Sequence, residues 1–325
     1  MMTLSKIAKL ANVSVSTASK AFSGSSEVNE ETRQRVFEIA KQHGCFQKFY
    51  NTKYQKLILA IIIPEFNSAH YTRYTSFIQD HLDKNAWEIS VSTTNFHKET
   101  EKHLLDYYYK HANADAIIVI GARTVLEESY EIPVVFIESS AEQQQGVCVS
   151  CNPFPALWEA LAYLKDNHVE TVGFIGEVLT GRKQRKSLEF AQALGLRVCD
   201  QWVQTADQRF APGGYEAMEK ILCASKLPRA IVCAYDYMAM GAIRCLADHG
   251  LRVPEDVAIL GFDDIPEAKF YNPPLSSVSA STEQVCALAV EAIEKQLAGM
   301  PVDRQQQLQP KFCLRTSFAV TETQE

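Results

Sequence analysis

From Leu57 onward, short apolar runs alternate with amphipathic segments, and no other feature restricts the fold as much. Leu57–Ile63 reads as a strand stopped by Pro64, and Tyr71–Lys84 as a helix. Glu88–Thr93, Ala116–Ile120 and Pro133–Ile137 read as further strands, with a helix over Lys98–Lys110. A second series follows. Helices are expected over Phe154–Asn167, Ser187–Leu194, Gly213–Ser225 and Tyr237–His249, and strands over Thr171–Ile175, Ala230–Cys233 and Val257–Gly261. Strands that alternate with helices form parallel sheets covered on both faces. Two successive series predict two doubly wound lobes, and such sheets gather ligand groups at the carboxyl ends of their strands.

The first sixty residues follow a different pattern. Thr3 can cap a short helix from Leu4 to Ala11, Ser14 a second from Val15 to about Phe22, and Asn29 a third that Gly44 ends. Ile7, Ala8, Leu10 and Ala11 supply the inward face of the first helix. Ala18, Ala21 and Phe22 do so for the second, and Val36, Phe37, Ile39 and Ala40 for the third. Two short helices with a tight turn, closed by a longer third, make a helix-turn-helix. The second helix is small-residued and can approach the floor of the major groove, with Val15, Ser16, Thr17, Ser19 and Lys20 on its outer or leading face. Helical spacing alone would fit any three-helix bundle equally well.

Charge is distributed to match. The net charge is −7, yet residues 1–58 carry nine Lys/Arg against four Asp/Glu, and the remainder carries 23 against 35. A basic head on an acidic body suits a nucleic-acid-binding module joined to a sensor. The nine cysteines are scattered, which argues against a disulfide framework and for a reducing compartment. Cys148-Val-Ser-Cys151 lies in an extended apolar stretch and reads as a buried structural pair. No apolar run is long enough to span a bilayer, and the N-terminus lacks the apolar core of a signal peptide, so the cytoplasm is the expected compartment. Phosphate-loop, dinucleotide-fingerprint, nucleophile-elbow and zinc-protease motifs are missing, so no enzyme, cofactor or metal site is expected. His103 and His111 read as solvated, and Tyr107–Tyr109 as a helix packing face.

The run from Thr3 to Gly24, continued by Val28 to Val36, resembles the headpiece of the LacI/GalR family of repressors. That resemblance implies base-reading roles for Val15 and Ser16, and places Lys20 where the family usually has an arginine. Ser14, Thr17, Ser19, Asn29 and Thr32 match phosphate-contacting positions, and Thr3 is counted with the DNA-binding set. Gly44 is followed by Cys45-Phe46-Gln47-Lys48, where family members usually have Tyr, Pro and Asn. Tyr54 falls where an intercalating hinge leucine is expected, and it can stack or wedge at a minor-groove step. A basic tether through Lys48, Lys53 and Lys56 is the other reading of this segment.

The rest of the chain is also similar to the family core, which resembles periplasmic sugar-binding proteins. The matches are Ala234 to Gly241, Gly250 to Asp264, Pro273 to Leu275 and Leu314 to Ser317. The resemblance implies residues 1–45 as DNA-binding domain, 46–57 as hinge and 58–325 as a sensing and dimerisation domain. Its two lobes would cover 58–150 with 279–310 and 151–278 with 311–325. The expected fold class is therefore α/β: an all-α helix-turn-helix headpiece, then a two-lobed, doubly wound core. Asp263 matches the family's effector-binding aspartate, while Asp264 reads as a loop carboxylate capping the next turn. Asp236 matches the acidic member of an Asn-Asp pair whose asparagine is replaced by Tyr235. Arg185 or Lys186 falls where a ligand-binding arginine is common. His70, Tyr71, Asn152, Arg209 and Phe210 complete the expected effector set. The implied function is a DNA-binding repressor, a homodimer on a near-palindromic operator, controlled by a small molecule with carbohydrates as one class. The alternatives are a regulator of the same build that answers to a protein partner or to no ligand, and, more remotely, a solute-binding protein or sugar enzyme on the same fold.

Overall fold

The computed structural model describes residues 3–23, 25, 27–46, 56–125, 130–139 and 144–320. Tyr54, Lys48 and Lys53 lie outside the described residues, and so does most of the expected hinge. The chain divides into two compact units, with the boundary between Leu57 and Ile58.

The first unit contains α1 (Leu4–Leu10), α2 (Val15–Phe22) and α3 (Glu30–Gln42). Thr3, Ser14 and Asn29 each accept the amide of the residue three further on: Lys6, Thr17 and Thr32. Each bond satisfies one of the orphan donors that open a helix, which is why these boundaries follow the capping residues so closely. Gly44, at φ +62, stands one residue beyond the His43 C-cap, where a side chain would be strained. Ile7, Ala8, Ala18, Ala21, Phe22, Val36, Phe37 and Ala40 form the core, with the Phe22 and Phe37 rings 5.6 Å apart. Leu10 departs from expectation. It is 54% exposed, because α1 ends there and turns its last residue outward. Arg33 Nη2 donates to the carbonyls of Ser25 and Val28, and Arg35 Nε to that of Ala11, so two basic residues knit the unit internally.

The second unit opens with β1 (Leu57–Ile63), α4 (Ala69–His81), β2 (Trp87–Thr93), α5 (Lys98–Lys110), β3 (Ala116–Ile120), β4 (Val134–Ile137) and β5 (Val147–Cys151). It continues with α6 (Phe154–Asp166), β6 (Val172–Glu177), α7 (Gly181–Ala193), β7 (Val203–Ala206), α8 (Phe210–Leu222), β8 (Ala230–Cys233), α9 (Asp236–Asp248), β9 (Ala258–Phe262) and β10 (Ser276–Ser279). The last elements are α10 (Thr282–Leu297), β11 (Gln305–Leu308) and β12 (Lys311–Cys313). One sheet runs β11-β5-β4-β3-β1-β2, the other β12-β10-β9-β8-β6-β7. The chain thus passes from the first sheet to the second after β5, returns after β10, and crosses again between β11 and β12. β12 runs antiparallel to β10, an edge that departs from the all-parallel expectation.

Alternation along the strands of the first sheet feeds two cores. Leu59, Ile61, Ile63, Ile118 and Ile137 face one side with α4 and α10, and Ala60, Ile62, Ile117, Val119 and Phe136 face the other with α5. Cys148 belongs to one of these cores and Cys151 to the other, so the two thiols are buried on opposite faces of β5 and do not form a pair. Of the three tyrosines on α5, Tyr108 is buried and its hydroxyl bonds Ser90 and Ser92, while Tyr107 is exposed. In the second sheet, α8 and α9 cross at glycines. A Cβ on Gly241 would stand 2.0 Å from the Ala211 carbonyl oxygen, and one on Gly214 2.0 Å from that of Met238. The helix backbones meet where no side chain intervenes.

Candidate functional site

On the first unit, α2 presents a face with few internal obligations. Val15 is 47% exposed, Ser16 and Ser19 are exposed, and Thr17 and Lys20 are partly so. Ser14 Oγ is committed to the Thr17 amide at 2.9 Å and lies 2.8 Å from the Thr17 hydroxyl. Asn29 Oδ1 accepts from the Thr32 amide at 2.8 Å, leaving its amide donors open. Lys20 Nζ is ion-paired with Glu27.

On the second unit, a cavity of about 640 Å³ lies at the carboxyl ends of both sheets. The strand orders reverse between β1 and β3 and between β6 and β8, the places where doubly wound sheets open a crevice. Residues that follow strand ends supply the wall: His70 and Tyr71 beyond β1, Arg123 beyond β3, Glu138 beyond β4, Asn152 beyond β5, Arg209 and Phe210 beyond β7, Tyr235 beyond β8 and Asp263 beyond β9. The buried Glu101 carboxylate shapes the Arg123 turn by accepting from the amides of Arg123 and Thr124, at 3.0 and 3.1 Å, and from the Thr124 hydroxyl.

Ionisable groups span the two lobes. Asp263 Oδ1 is 3.3 Å from Lys183 Nζ and 3.6 Å from His70 Nδ1, and its backbone carbonyl accepts from Arg73 Nη1 at 3.1 Å. His70 Nε2 and the Tyr74 hydroxyl each lie 2.9 Å from Glu138 Oε1. Burial opposes a charged His70, but the Glu138 and Asp263 carboxylates outweigh it and hold the imidazole above its ordinary pKa. Burial likewise works to raise Glu138, and His70, the Tyr74 hydroxyl and Lys183 overcome it, bringing that carboxyl to about 2. Arg209 Nη1 donates to both oxygens of Glu65 at 2.7 Å, while its Nε sits 3.7 Å from Glu177 Oε1. Arg209 Nε and His70 Nδ1 are buried and have no hydrogen-bond partner.

Of the residues expected from sequence, His70, Tyr71, Asn152, Arg209, Phe210, Tyr235, Asp236 and Asp263 line the cavity. Arg185 and Lys186 do not. The helix expected from Ser187 begins at Gly181, so its first turn carries Arg182 and Lys183 into the wall, while Arg185 is exposed and Lys186 pairs with Glu189. Asp236 is 1% exposed and both its oxygens are taken, by the Ser277 hydroxyl at 2.7 Å and the Ile265 amide at 2.8 Å. It braces the loop after β9 against β10, and burial, reinforced by Asp263, pushes its carboxyl well above the usual range. Asn152 Oδ1 accepts from the Phe154 amide at 3.2 Å at the start of α6. The Tyr235 hydroxyl accepts the Phe210 amide at 2.9 Å. Asp264 does not cap the following turn. Its Oδ1 meets Arg315 Nη2 at 2.6 Å, and Arg315 also donates to the Leu275 carbonyl. Glu65, Arg123, Glu138, Glu177 and Lys183 escaped the sequence reading; the strand-end rule, applied to β1, β3, β4 and β6, would have found all but Lys183.

A helix-turn-helix unit followed by two doubly wound lobes around a polar cleft defines a DNA-binding transcription regulator. Residues 3–45 match the profile of bacterial regulatory proteins of the lacI family, and residues 161–318 match a periplasmic binding protein-like domain. The HTH-type transcriptional repressor PurR of Pasteurella multocida (strain Pm70) is 27% identical over 333 residues, spanning 98% of each chain. The HTH-type transcriptional regulator GalR of Streptococcus thermophilus is 29% identical over 338 residues, spanning 98% of this chain and 99% of its own. Among solved structures, the lac repressor dimer bound to operator and the anti-inducer ONPF superposes with a TM-score of 0.70 at 17% identity, covering 98% of this chain and 99% of that one. The transcriptional regulator CelR in complex with cellobiose gives 0.64 at 22% identity, covering 98% and 100%. The chain thus carries a lacI-family DNA-binding region and is similar over nearly its whole length to bacterial transcription regulators of that type. Among the described residues, no helix is long and apolar enough to cross a membrane.

Proposed function

We propose that this regulator is a cytoplasmic repressor that binds a near-palindromic operator as a homodimer and is controlled by a small molecule held in the interlobe cleft. In this reading residues 1–45 bind DNA, residues 46–57 form the hinge, and the lobes comprise 58–150 with 279–310 and 151–278 with 311–325. The observation that carries the effector assignment is the pair of buried nitrogens without a hydrogen-bond partner, His70 Nδ1 and Arg209 Nε, in a cavity of about 640 Å³. A buried donor without a partner is costly, and a ligand acceptor or a small lobe movement would relieve it. Asp263 touches groups from both lobes, so an effector that alters its contacts alters lobe orientation. The effector can shift that orientation only by its differential affinity for the two arrangements. Asp263→Ala is expected to abolish the effector's influence on operator affinity while leaving ligand-free operator binding nearly intact. Calorimetric titration beside operator binding for both proteins checks this, and unchanged effector affinity in Asp263→Ala would remove Asp263 from the site. A ligand-independent regulator is favoured by one observation, the Arg209–Glu65 pair already joining the lobes. A parent protein that binds effector with no change in operator affinity would support it.

On the headpiece, Val15 and Ser16 read base edges and Lys20 donates to guanine acceptors, while Thr3, Ser14, Thr17, Ser19, Asn29 and Thr32 meet phosphates. Lys20→Ala is expected to cost roughly 1–3 kcal/mol and to relax preference at one base pair. Glu27→Gln, which frees Lys20 from its ion pair, is expected to tighten binding. Selection from a random DNA pool reads both, and a uniform loss across all sequences would assign Lys20 to phosphate.

A further inference from the structure

We propose that the effector is an anion, a phosphate ester or a carboxylate, whose charged group is received by Arg123 and Arg182. The inference rests on the effector reading above. Basic side chains lining the cleft are His70, Arg123, Arg182, Lys183 and Arg209. Three have carboxylate partners: His70 with Glu138, Lys183 with Asp263, and Arg209 with Glu65. Arg123 and Arg182 have no ion pair among the described residues. Each guanidinium instead packs over an aromatic ring of the same wall, Arg123 over Phe96 and Arg182 over Phe154, both 5.0 Å from the ring centroid. Stacking on a ring holds a guanidinium in place and leaves its edge donors open, and that planar fork suits two oxygens of one anionic group.

A second observation points the same way. Phe96 also carries the Arg209 guanidinium, 5.7 Å from its centroid, and Arg209 Nε is buried without a hydrogen-bond partner. Phe96 therefore gathers two cations, one of which offers an unused donor. The carboxylates of the wall are each engaged through one oxygen. Glu138 holds His70 and Tyr74, Asp263 faces Lys183 and His70, and Glu177 Oε2 accepts the Leu179 amide at 2.8 Å. Two guanidiniums without an ion pair leave the cleft with cationic donors to spare, which suits an oxyanion.

The test is calorimetry on the full chain with glucose, glucose 6-phosphate, glucuronate and inorganic phosphate, with operator affinity measured in parallel. Inorganic phosphate at millimolar concentration is expected to bind and to raise the thermal midpoint. A sugar anion is expected to bind at least about tenfold more tightly than glucose. Arg123→Gln and Arg182→Gln are each expected to weaken the anion about tenfold while leaving the ligand-free thermal midpoint unchanged. The phosphate ester and the uronic acid separate the two sources of charge. Absence of phosphate binding, glucose binding as tight as its charged counterparts, or full anion affinity in both arginine variants would each overturn the proposal. Neutral-sugar binding that shifts operator affinity would sink the anion and leave the effector reading standing. Anion binding with no operator response would do the reverse.

Discussion

A chain lacking residues 1–58 is expected to lose operator binding altogether. The helix-turn-helix unit carries nine basic against four acidic residues within those positions, while the rest carries 23 against 35 and repels a polyanion. Two of the basic side chains, Arg33 and Arg35, are spent inside the unit, so phosphate neutralisation falls on Lys6, Lys9, Lys41 and the lysines near residue 50. Each phosphate neutralised releases counterions, and the intact protein's log affinity is expected to fall linearly with log salt, by roughly 0.9 per contact. Gel retardation or fluorescence anisotropy across salt concentrations measures both quantities. Operator affinity retained by the shortened chain would end this assignment.

The second large effect is expected far from any ligand. Gly241→Ala should destabilise the second unit by about 3 kcal/mol or more, because its new methyl would press into the Ala211 carbonyl, a backbone atom that cannot rotate aside. At roughly 2–4 °C per kcal/mol, the thermal midpoint should drop by about 6–12 °C. Gly181→Ala is the matched control. Its Cβ would meet nothing within 4 Å, its φ is −56, and it opens α7, so the unfolded chain loses entropy at no cost to the fold. A gain of about 0.4–1 kcal/mol is expected there. Chemical denaturation of both variants decides the matter; equal stability for Gly241→Ala and the parent would show that α8 and α9 can slide apart freely.

Sequence made the scaffold legible wherever a local signal was strong. Ser14 and Asn29 fixed their helix starts because a side-chain cap is a contact between residues three apart. Leu57–Ile63, Lys98–Lys110, Ala116–Ile120 and Ala230–Cys233 stand where their apolar runs put them. β11, with the sequence Gln-Gln-Gln-Leu, escaped notice because an edge strand open to water needs no apolar alternation. Helix α10 does carry a helical stripe in Val285, Ala289 and Ile293, a signal present in the sequence but absent from the elements expected above. The cleft was half legible. The family resemblance and the end of β9 agree on Asp263, and the first strand-to-helix loop on His70, but the resemblance places the ligand-binding cation at Arg185 or Lys186, whereas the first turn of α7 puts Arg182 and Lys183 in the wall. Pairs such as Arg209 with Glu65, 144 positions apart, leave no local trace.

The exchange of segments between the sheets bears on how the protein is made. The first lobe begins at residue 58, yet Val285, Cys286, Ala289, Val290, Ala292 and Ile293 of α10 belong to its core. The second lobe needs Phe318 in its own core, Arg315 against Asp264, and Ser317 donating to the Ile259 carbonyl. Neither lobe can complete its packing on the ribosome until almost the whole polypeptide has emerged, whereas the helix-turn-helix unit can close as soon as its first 45 residues are free. During synthesis, the part that reads DNA is finished long before the part that governs it.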